Sequence, residues 1–215
     1  MKPFLLVLSS PSGGGKTTIA RRLLESRTDL GYSISATTRA MRPGEEDGRD
    51  YYFLSREEFA RREVEGLFLE TAVYAGERYG TLRSEVERVF ATGRHVILDI
   101  EVEGARQVRR RFPDAVLVFV LPPSGASLVE RLRDRRTDSA EALRKRMARA
   151  AEEFGAVLEY DYVVVNDDLD RARARVAAIV EAESRRVSRQ DRLTQEIDAL
   201  RRDTTAEAER TLGGS

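Results

Sequence analysis

Short apolar runs recur along the chain, and turn-favouring residues bound several of them. Continuous runs of roughly four to eight apolar residues are typical of strands that are buried on both faces of a sheet. On this basis we predict four buried strands, at residues 4–8, 95–100, 116–121 and 162–165. Helical patterns separate these strands, which favours an α/β fold with a mostly parallel central sheet and helices on both faces.

The segments between the predicted strands differ in character. Helical spacing of apolar residues predicts helices at residues 17–26 and 82–91. Residues 32–82 contain short alternating runs, one further predicted helix at about residues 56–65 and five of the seven tyrosines, which favours polar and aromatic contacts. Residues 126–154 are predicted to form an arginine-dense helical pair, and residues 190–215 a charged helix with a tail.

Composition and charge exclude several classes of protein. The chain has 37 basic and 37 acidic residues, so it lacks the overall positive charge of a non-specific nucleic-acid-binding protein. It has no cysteine and one histidine, His95, which excludes thiolate and His-rich metal sites; we interpret His95 as structural. No apolar run approaches the ~20 residues of a membrane span, and the first residues lack a signal-peptide pattern. We therefore expect a cytoplasmic protein with no membrane partner.

A glycine-rich loop lies between the first predicted strand and the first predicted helix. Residues 10–17 read SPSGGGKT, which is a P-loop in the context that this motif requires. Glycines let backbone N–H groups surround phosphate oxygens, and the following helix adds its positive dipole end. Lys16 would then reach the outer phosphates, and the Thr17 hydroxyl would hold Mg²⁺. The alternative is a glycine-rich turn with an incidental lysine.

The P-loop indicates nucleotide-phosphate binding but leaves the reaction open. No cluster of nucleophile, base and orienting residue is visible in the sequence. Phosphoryl transfer needs none, because positioning and charge neutralisation supply most of the acceleration. It does need a second phosphate-binding set and cations near the transferred group, and the arginine-rich segments offer candidates for both.

Further motif blocks follow the P-loop in a fixed order. They are SATTRAMRPGE at 35–45, GRDYYF at 48–53, FLE at 68–70, YGT at 79–81, ILDIE at 97–101 with Gly104, the stretch 135–146, and YDYVVVND at 160–167. Over about residues 4–190 the chain resembles the guanylate kinase family. The resemblance implies a P-loop NTPase-type three-layer sandwich with two insertions, one that binds GMP and a lid that closes over ATP. It also implies Mg²⁺-dependent, direct in-line transfer of the ATP γ-phosphoryl group to GMP, with dGMP as an expected second acceptor.

The resemblance implies a GMP site. Glu70 matches the residue whose carboxylate accepts the two N–H donors on one edge of guanine, donors that adenine lacks. Ser35 and Thr81 match positions that help hold the base, and Asp99 and Glu101 match positions near the guanosine. The GMP phosphate would be clamped by Arg39, Arg42, Tyr51 and Tyr79, since guanidinium forks suit a dianionic phosphate.

The resemblance also implies an ATP site and a metal site. Thr17 and Asp99 would hold Mg²⁺, partly through water. The implied catalytic cations are Lys16, Arg39, Arg135 and Arg146, the last two from the lid. The residues implied to bind ATP are Ser10, Pro11, Ser12, Gly13, Gly14, Gly15, Lys16, Thr17, Thr18, Asn166 and Asp167.

The matched motifs imply a division of the chain. Residues 1–32, 91–125 and 158–190 would form the nucleotide-binding core, 33–90 the GMP-binding segment, 126–157 the lid, and 191–215 the charged helix and tail. The chain departs from the family pattern at Ser10 and Arg136, where glycine is usual, at Glu101, where aspartate is usual, and at Glu103, where glutamine is usual. The roles of Glu103, Arg136 and the tail stay open, as does the oligomeric state.

Two alternatives to the kinase interpretation come from different classes. A catalytically silent guanylate-kinase-like module would bind protein partners, but such modules lose the phosphate loop or the clamp, whereas Lys16 and Arg39 are present here. A related P-loop kinase for another phosphorylated acceptor would have no use for Glu70. We further expect Tyr52 and Phe53 to belong to the core.

Overall fold

The computed structural model describes residues 1–74, 76–133 and 140–212. The strands are β1 (Leu5–Ser9), β2 (Leu30–Tyr32), β3 (Ser35–Thr37), β4 (Tyr52–Phe53), β5 (Phe68–Tyr74), β6 (Glu77–Leu82), β7 (His95–Asp99), β8 (Val116–Leu121) and β9 (Tyr162–Val165). The helices are α1 (Lys16–Ser26), α2 (Arg56–Val64), α3 (Arg83–Phe90), α4 (Val102–Arg111), α5 (Gly125–Arg133), α6 (Ala140–Phe154), α7 (Leu169–Ser184) and α8 (Leu193–Leu212). Among these helices, none combines the length and apolar character that a membrane span requires.

The central sheet is parallel, with strand order β2-β7-β1-β8-β9 in the described part of the chain. Every residue of β1 is buried, and its side chains alternate between the two faces. Leu6 and Leu8 pack with residues of α1 and α7, whereas Leu5 and Val7 pack with residues of α3 and α4. The predicted α/β fold with helices on both faces of the sheet is therefore confirmed.

The prediction was wrong about both edges of this sheet. Strand β9, predicted to be buried, is an edge strand in which Val163 is 53% exposed, and β2 joins the other edge as a fifth strand. Gly31 follows the predicted helix at residues 17–26, where a glycine normally indicates a turn, yet it pairs with Val96 inside β2. A Cβ atom at Gly31 would lie 2.4 Å from Cγ1 of Val89 on α3. The glycine is there to let a helix pack closely on the strand.

A second, smaller sheet, with order β4-β3-β6-β5, lies in the segment between β2 and α3. Its own core is aromatic, since Phe59 of α2 stacks on Phe68 of β5 with ring centroids 4.4 Å apart. Tyr52 packs against this core, as expected. Phe53 is only partly buried, and its ring lies under the Arg39 guanidinium instead.

His95 has a structural role, as predicted. The side chain is 1% exposed, its ring lies 4.1 Å from that of Phe4, and the Phe4 N–H donates to Nδ1 at 3.3 Å. Burial lowers the pKa of His95, which favours the neutral ring that can accept this hydrogen bond. Helix α8, in contrast, has no buried residue.

Candidate active site at the carboxyl ends of the central strands

The glycine-rich loop connects the end of β1 to the start of α1. Gly13 and Gly15 adopt positive φ angles of 84° and 94°, a region that favours glycine. A Cβ atom at Gly15 would also lie 2.4 Å from Nδ2 of Asn166. Because α1 begins at Lys16, the first N–H groups of that helix, which have no acceptor within it, lie next to the loop.

Ser10 is accommodated without opening the loop, although glycine is usual at its position. Its side chain is buried, and Oγ donates to the Pro11 carbonyl at 3.0 Å. A Cβ atom at Gly14 would lie 2.6 Å from that of Ser10, so the missing side chain of Gly14 leaves room for the serine.

A cavity of about 400 Å³ lies against this loop. Asn166, which follows β9, donates from Nδ2 to the Gly14 carbonyl at 2.9 Å and so ties the loop to the sheet. Arg131 of α5 donates to the Asn166 carbonyl at 3.1 Å. The lining residues are Ser10, Gly13, Gly15, Lys16, Thr17, Thr18, Arg131, Asn166, Asp167 and Leu169. Among the described loop residues that we predicted to bind ATP, Pro11, Ser12 and Gly14 do not line this cavity.

Lys16 forms an ion pair with a carboxylate. Its Nζ lies 2.8 Å from Oε1 of Glu101, just after β7. Burial lowers the pKa of Lys16, but the charges of Glu101, Asp99 and Glu153 outweigh this effect, so the net pKa is raised. The ammonium group is therefore charged and sits where it can exchange a carboxylate for a phosphate.

Thr17 and Asp99, which we predicted to hold Mg²⁺, meet at the end of β7. Oγ1 of Thr17 donates to Oδ2 of Asp99 at 2.6 Å, and the hydroxyl of Tyr32 donates to Oδ1 at 2.6 Å. Burial, followed by the Asp99 charge, raises the pKa of Tyr32 well above its usual value, so the hydroxyl remains a donor. The side-chain atoms that Thr17 and Asp99 offer here are all oxygens, and oxygen atoms are the ligands that a hard divalent cation prefers.

Glu70 of β5 lines a second cavity, of about 300 Å³. It is 3% exposed, and its Oε1 accepts a hydrogen bond from Oγ1 of Thr81 at 2.7 Å. Burial raises the pKa of Glu70 to about 7, although the bonds from Thr81 oppose the shift. A Cβ atom at Gly104 of α4 would lie 2.4 Å from Oε2, so this carboxylate needs a glycine beside it.

The residues predicted to clamp the GMP phosphate surround the same cavity. The Arg39 guanidinium makes a two-pronged contact with Glu45, at 3.0 and 2.8 Å, and lies 5.3 Å from the centroid of the Tyr51 ring. The Tyr79 ring meets that of Tyr51 edge-on, with centroids 6.1 Å apart. The predicted GMP residues that line the cavity are Ser35, Arg39, Arg42, Tyr51, Glu70, Tyr79, Asp99 and Glu101. Thr81 is fully buried and does not line the cavity itself, but its hydroxyl donates to Glu70, which does.

Helix α6 brings one predicted lid arginine to the loop. Nη2 of Arg146 donates to Oγ of Ser12 at 3.0 Å. Arg135 and Arg136 lie outside the described residues. Glu103 lies on the outer face of α4, where it pairs with Arg106 at 3.5 Å and does not line either cavity.

Sequence reasoning missed several residues of this site. Glu45 carries a signal that was present in the sequence, since it stands in a motif block. Tyr32 does not, because it ends β2, the strand that the sequence did not predict. Tyr74, Arg131 and Arg149 reach the site only through the folding of distant segments, and no local pattern indicates them.

The chain is similar to known guanylate kinases in sequence and in structure. A family model described as guanylate kinase matches residues 2–183. The guanylate kinase of Symbiobacterium thermophilum is 52% identical over 188 residues, which cover 87% of this chain and 89% of that protein. The guanylate kinase of Rubrobacter xylanophilus is 52% identical over 176 residues, which cover 82% of this chain and 92% of that protein.

A solved structure shares the fold. The crystal structure of guanylate kinase from Anaplasma phagocytophilum superposes with a TM-score of 0.75 and 35% sequence identity. The match covers 92% of this chain and 94% of that chain.

Proposed function

The chain belongs to the guanylate kinase family and catalyses the phosphorylation of GMP by ATP, and we propose that the two cavities described above carry out this reaction by direct in-line transfer. The observation that carries the proposal is that both cavities are lined by Lys16 and Thr17. Phosphate groups bound in the two cavities would therefore meet at these residues.

On the ATP side, the loop and α1 would bind the phosphates through backbone N–H groups and the positive end of the helix. Lys16 would leave Glu101 for the outer phosphates and neutralise charge that spreads over the transferred group. Arg146, held near the loop by Ser12, would add a second cation there. These groups position the phosphates and neutralise their charge, and no covalent enzyme intermediate is required.

On the GMP side, Glu70 would read the base and Arg39 would hold the phosphate. A buried carboxylate that loses its partners costs free energy, so a base without the paired N–H donors of guanine is rejected. Arg39 already presents its fork to Glu45, and a phosphate dianion would replace that carboxylate in the same geometry. Tyr51 and Tyr79 would close the clamp from the side.

Thr17 and Asp99 fit a magnesium ion, because their oxygen atoms come together beside the loop lysine. Mg²⁺ keeps several water molecules and commonly takes few protein ligands besides phosphate oxygens. When bound, it would neutralise phosphate charge during the transfer. The Tyr32 hydroxyl fixes the orientation of Asp99 for this role.

The test is ADP formation from ATP and Mg²⁺ with GMP, dGMP, AMP, CMP or UMP as acceptor. We expect turnover with the guanine nucleotides alone and a loss of at least about 100-fold in Lys16→Met, since the main phosphate-neutralising cation is removed. Lys145→Met is the matched control, because that lysine is 77% exposed on α6, where it pairs with Glu141 at 2.8 Å.

The outcomes separate the alternatives. Turnover with an acceptor other than a guanine nucleotide would indicate a kinase of different specificity. Binding of GMP without turnover for any acceptor would indicate the silent module. Equal activity in Lys16→Met and Lys145→Met would contradict the assignment of the loop.

A further inference from the structure

One side chain joins three parts of the molecule that the proposed reaction must bring together. The hydroxyl of Tyr74, at the end of β5, lies 3.0 Å from Oγ of Ser12 in the loop. Arg149 of α6 stacks on the Tyr74 ring, with the guanidinium carbon 4.8 Å from its centroid. The ring also meets Tyr79 edge-on, with centroids 6.5 Å apart.

Two of the three contacts of Tyr74, those with Ser12 and Tyr79, lead to groups near the reaction. Ser12 receives the hydrogen bond from Arg146, so the Tyr74 hydroxyl and Arg146 share one oxygen atom. A serine hydroxyl can accept from the arginine and still bond to the tyrosine, which fixes its orientation. Tyr79 belongs to the predicted clamp on the GMP phosphate.

Arg149 is itself anchored by a second contact, so its guanidinium is held in place over the Tyr74 ring. Its Nε donates to Oε1 of Glu153 at 3.0 Å, and Glu153 is 8% exposed. The guanidinium is therefore fixed between a buried carboxylate and an aromatic face, an arrangement that favours a cation over a ring. Through this contact, α6 is held against the hairpin of β5 and β6.

We propose that Tyr74 is a positioning residue that couples the GMP clamp to the lid helix by holding Ser12 and Arg149, and that it thereby places Arg146 at the transferred phosphoryl group. A phosphate bound at Tyr79 would order the Tyr74 ring. The ring would then order two contacts of α6, that of Arg146 with Ser12 and that of Arg149 with the ring itself. This proposal rests on the proposed function in one respect, which is the role of Arg146.

The experiment measures kcat, the KM for GMP and ATP hydrolysis without GMP. We compare the unaltered chain with Tyr74→Phe, Tyr74→Ala and the control Val73→Ala, whose parent side chain is 60% exposed on the same strand. Tyr74→Phe should lower kcat about threefold to tenfold, because one hydrogen bond is lost. Tyr74→Ala should lower kcat further, by about 10- to 100-fold, and should raise the ratio of ATP hydrolysis to GDP formation. The KM for GMP should stay within about twofold in Tyr74→Phe, since this variant keeps the ring that meets Tyr79 and leaves Glu70 and Arg39 intact.

A double-substitution cycle tests whether Tyr74 acts through Arg146. If it does, Tyr74→Ala should lower kcat no more than about twofold when Arg146 is already alanine. Full additivity of the two losses would overturn the proposal, as would a rise in the KM for GMP with an unchanged kcat. If Arg146→Ala alone leaves kcat unchanged, the assignment of Arg146 fails, and the coupling proposal fails with it. Thermal unfolding of each variant shows which losses come from misfolding.

Discussion

Replacing Glu70 by glutamine should stabilise the substrate-free protein and weaken GMP recognition, and both effects should grow as the pH rises. The side chain is 3% exposed, and burial raises its pKa from the ordinary 4.5 to about 7. Glutamine keeps the shape but never ionises. Its amide can still exchange a hydrogen bond with the Thr81 hydroxyl, which now donates to Oε1.

The magnitude follows from the linkage between protonation and folding. Between pH 4.5 and 7 the folded state binds a proton that the unfolded state has lost, so the carboxyl group reduces stability as the pH rises through this window. The buried carboxyl group lowers the free energy of unfolding by about 3 kcal/mol above pH 7 and by about 1 kcal/mol at pH 5. For a chain of this size, removal of that cost should raise the Tm by roughly 6 to 12 °C at pH 8.

GMP recognition should change with pH over the same interval. The carboxylate form accepts both guanine donors, and about one tenth of Glu70 is ionised at pH 6 if its pKa is about 7. The KM for GMP of the unaltered protein should therefore be about tenfold higher at pH 6 than at pH 8. The GMP phosphate also titrates near pH 6. Glu70→Gln shares that titration, so the ratio of the two proteins isolates Glu70.

The assay is thermal unfolding and GMP kinetics at several pH values between 5 and 8. Glu87→Gln serves as the control, because Glu87 is an exposed glutamate of α3. A Tm gain for Glu70→Gln that is the same at pH 5 and pH 8 would refute the reasoning, because the gain would then not come from the charged carboxyl group. A KM ratio that is independent of pH would refute the role of its ionised form.

Two further predictions concern the neighbours of the GMP site. Arg39→Lys should raise the KM for GMP by about 10- to 100-fold, because an ammonium group cannot make the two-pronged contact that Arg39 makes with Glu45. The measurement is a GMP titration at saturating ATP, with Arg49→Lys, at an exposed arginine, as the control. Equal behaviour of the two variants would contradict the prediction. Gly104→Ala should abolish most GMP binding, because its Cβ atom would lie 2.4 Å from Oε2 of Glu70. Calorimetric titration with GMP should show normal binding for Gly155→Ala, because among the described residues beyond its chain neighbours no atom lies within 4 Å of the added Cβ.

The sequence predicts the strands that are continuous apolar runs. The runs of β1, β7, β8 and β9 are four to six residues long and mainly apolar. Their strand character is therefore visible in the order of residues, but burial is not, because Val163 and Val165 of the edge strand β9 are 53% and 38% exposed. Strand β2 has three residues and contains Gly31, which is normally a signal for a turn. Its strand conformation depends on pairing with β7 and on the approach of Val89, and neither is a local property.

The candidate site likewise combines residues that the sequence predicts with contacts that only the fold creates. Glu70, Arg39 and Lys16 stand in motif blocks whose spacing is readable, and the structure brings them to two adjoining cavities. The acid that pairs with Lys16 could not be predicted, because Glu101 is 85 residues away in the chain. Glu45, in contrast, stands in the same motif block as its partner Arg39. Tyr74 and Ser12, 62 residues apart, meet for the same reason only after the hairpin and the loop have folded.

The paired carboxylates have a consequence for catalysis. In the substrate-free protein Glu101 holds Lys16 and Glu45 holds Arg39, so these two phosphate-binding cations are neutralised and their side chains are already ordered. The entropy of fixing these side chains is therefore spent before substrate arrives, which favours binding. Displacing the carboxylates costs part of the binding energy, which lowers ground-state affinity. Charge that develops in the transition state meets cations with no remaining partner to displace, so the same groups contribute more to the transition state than to the bound substrates.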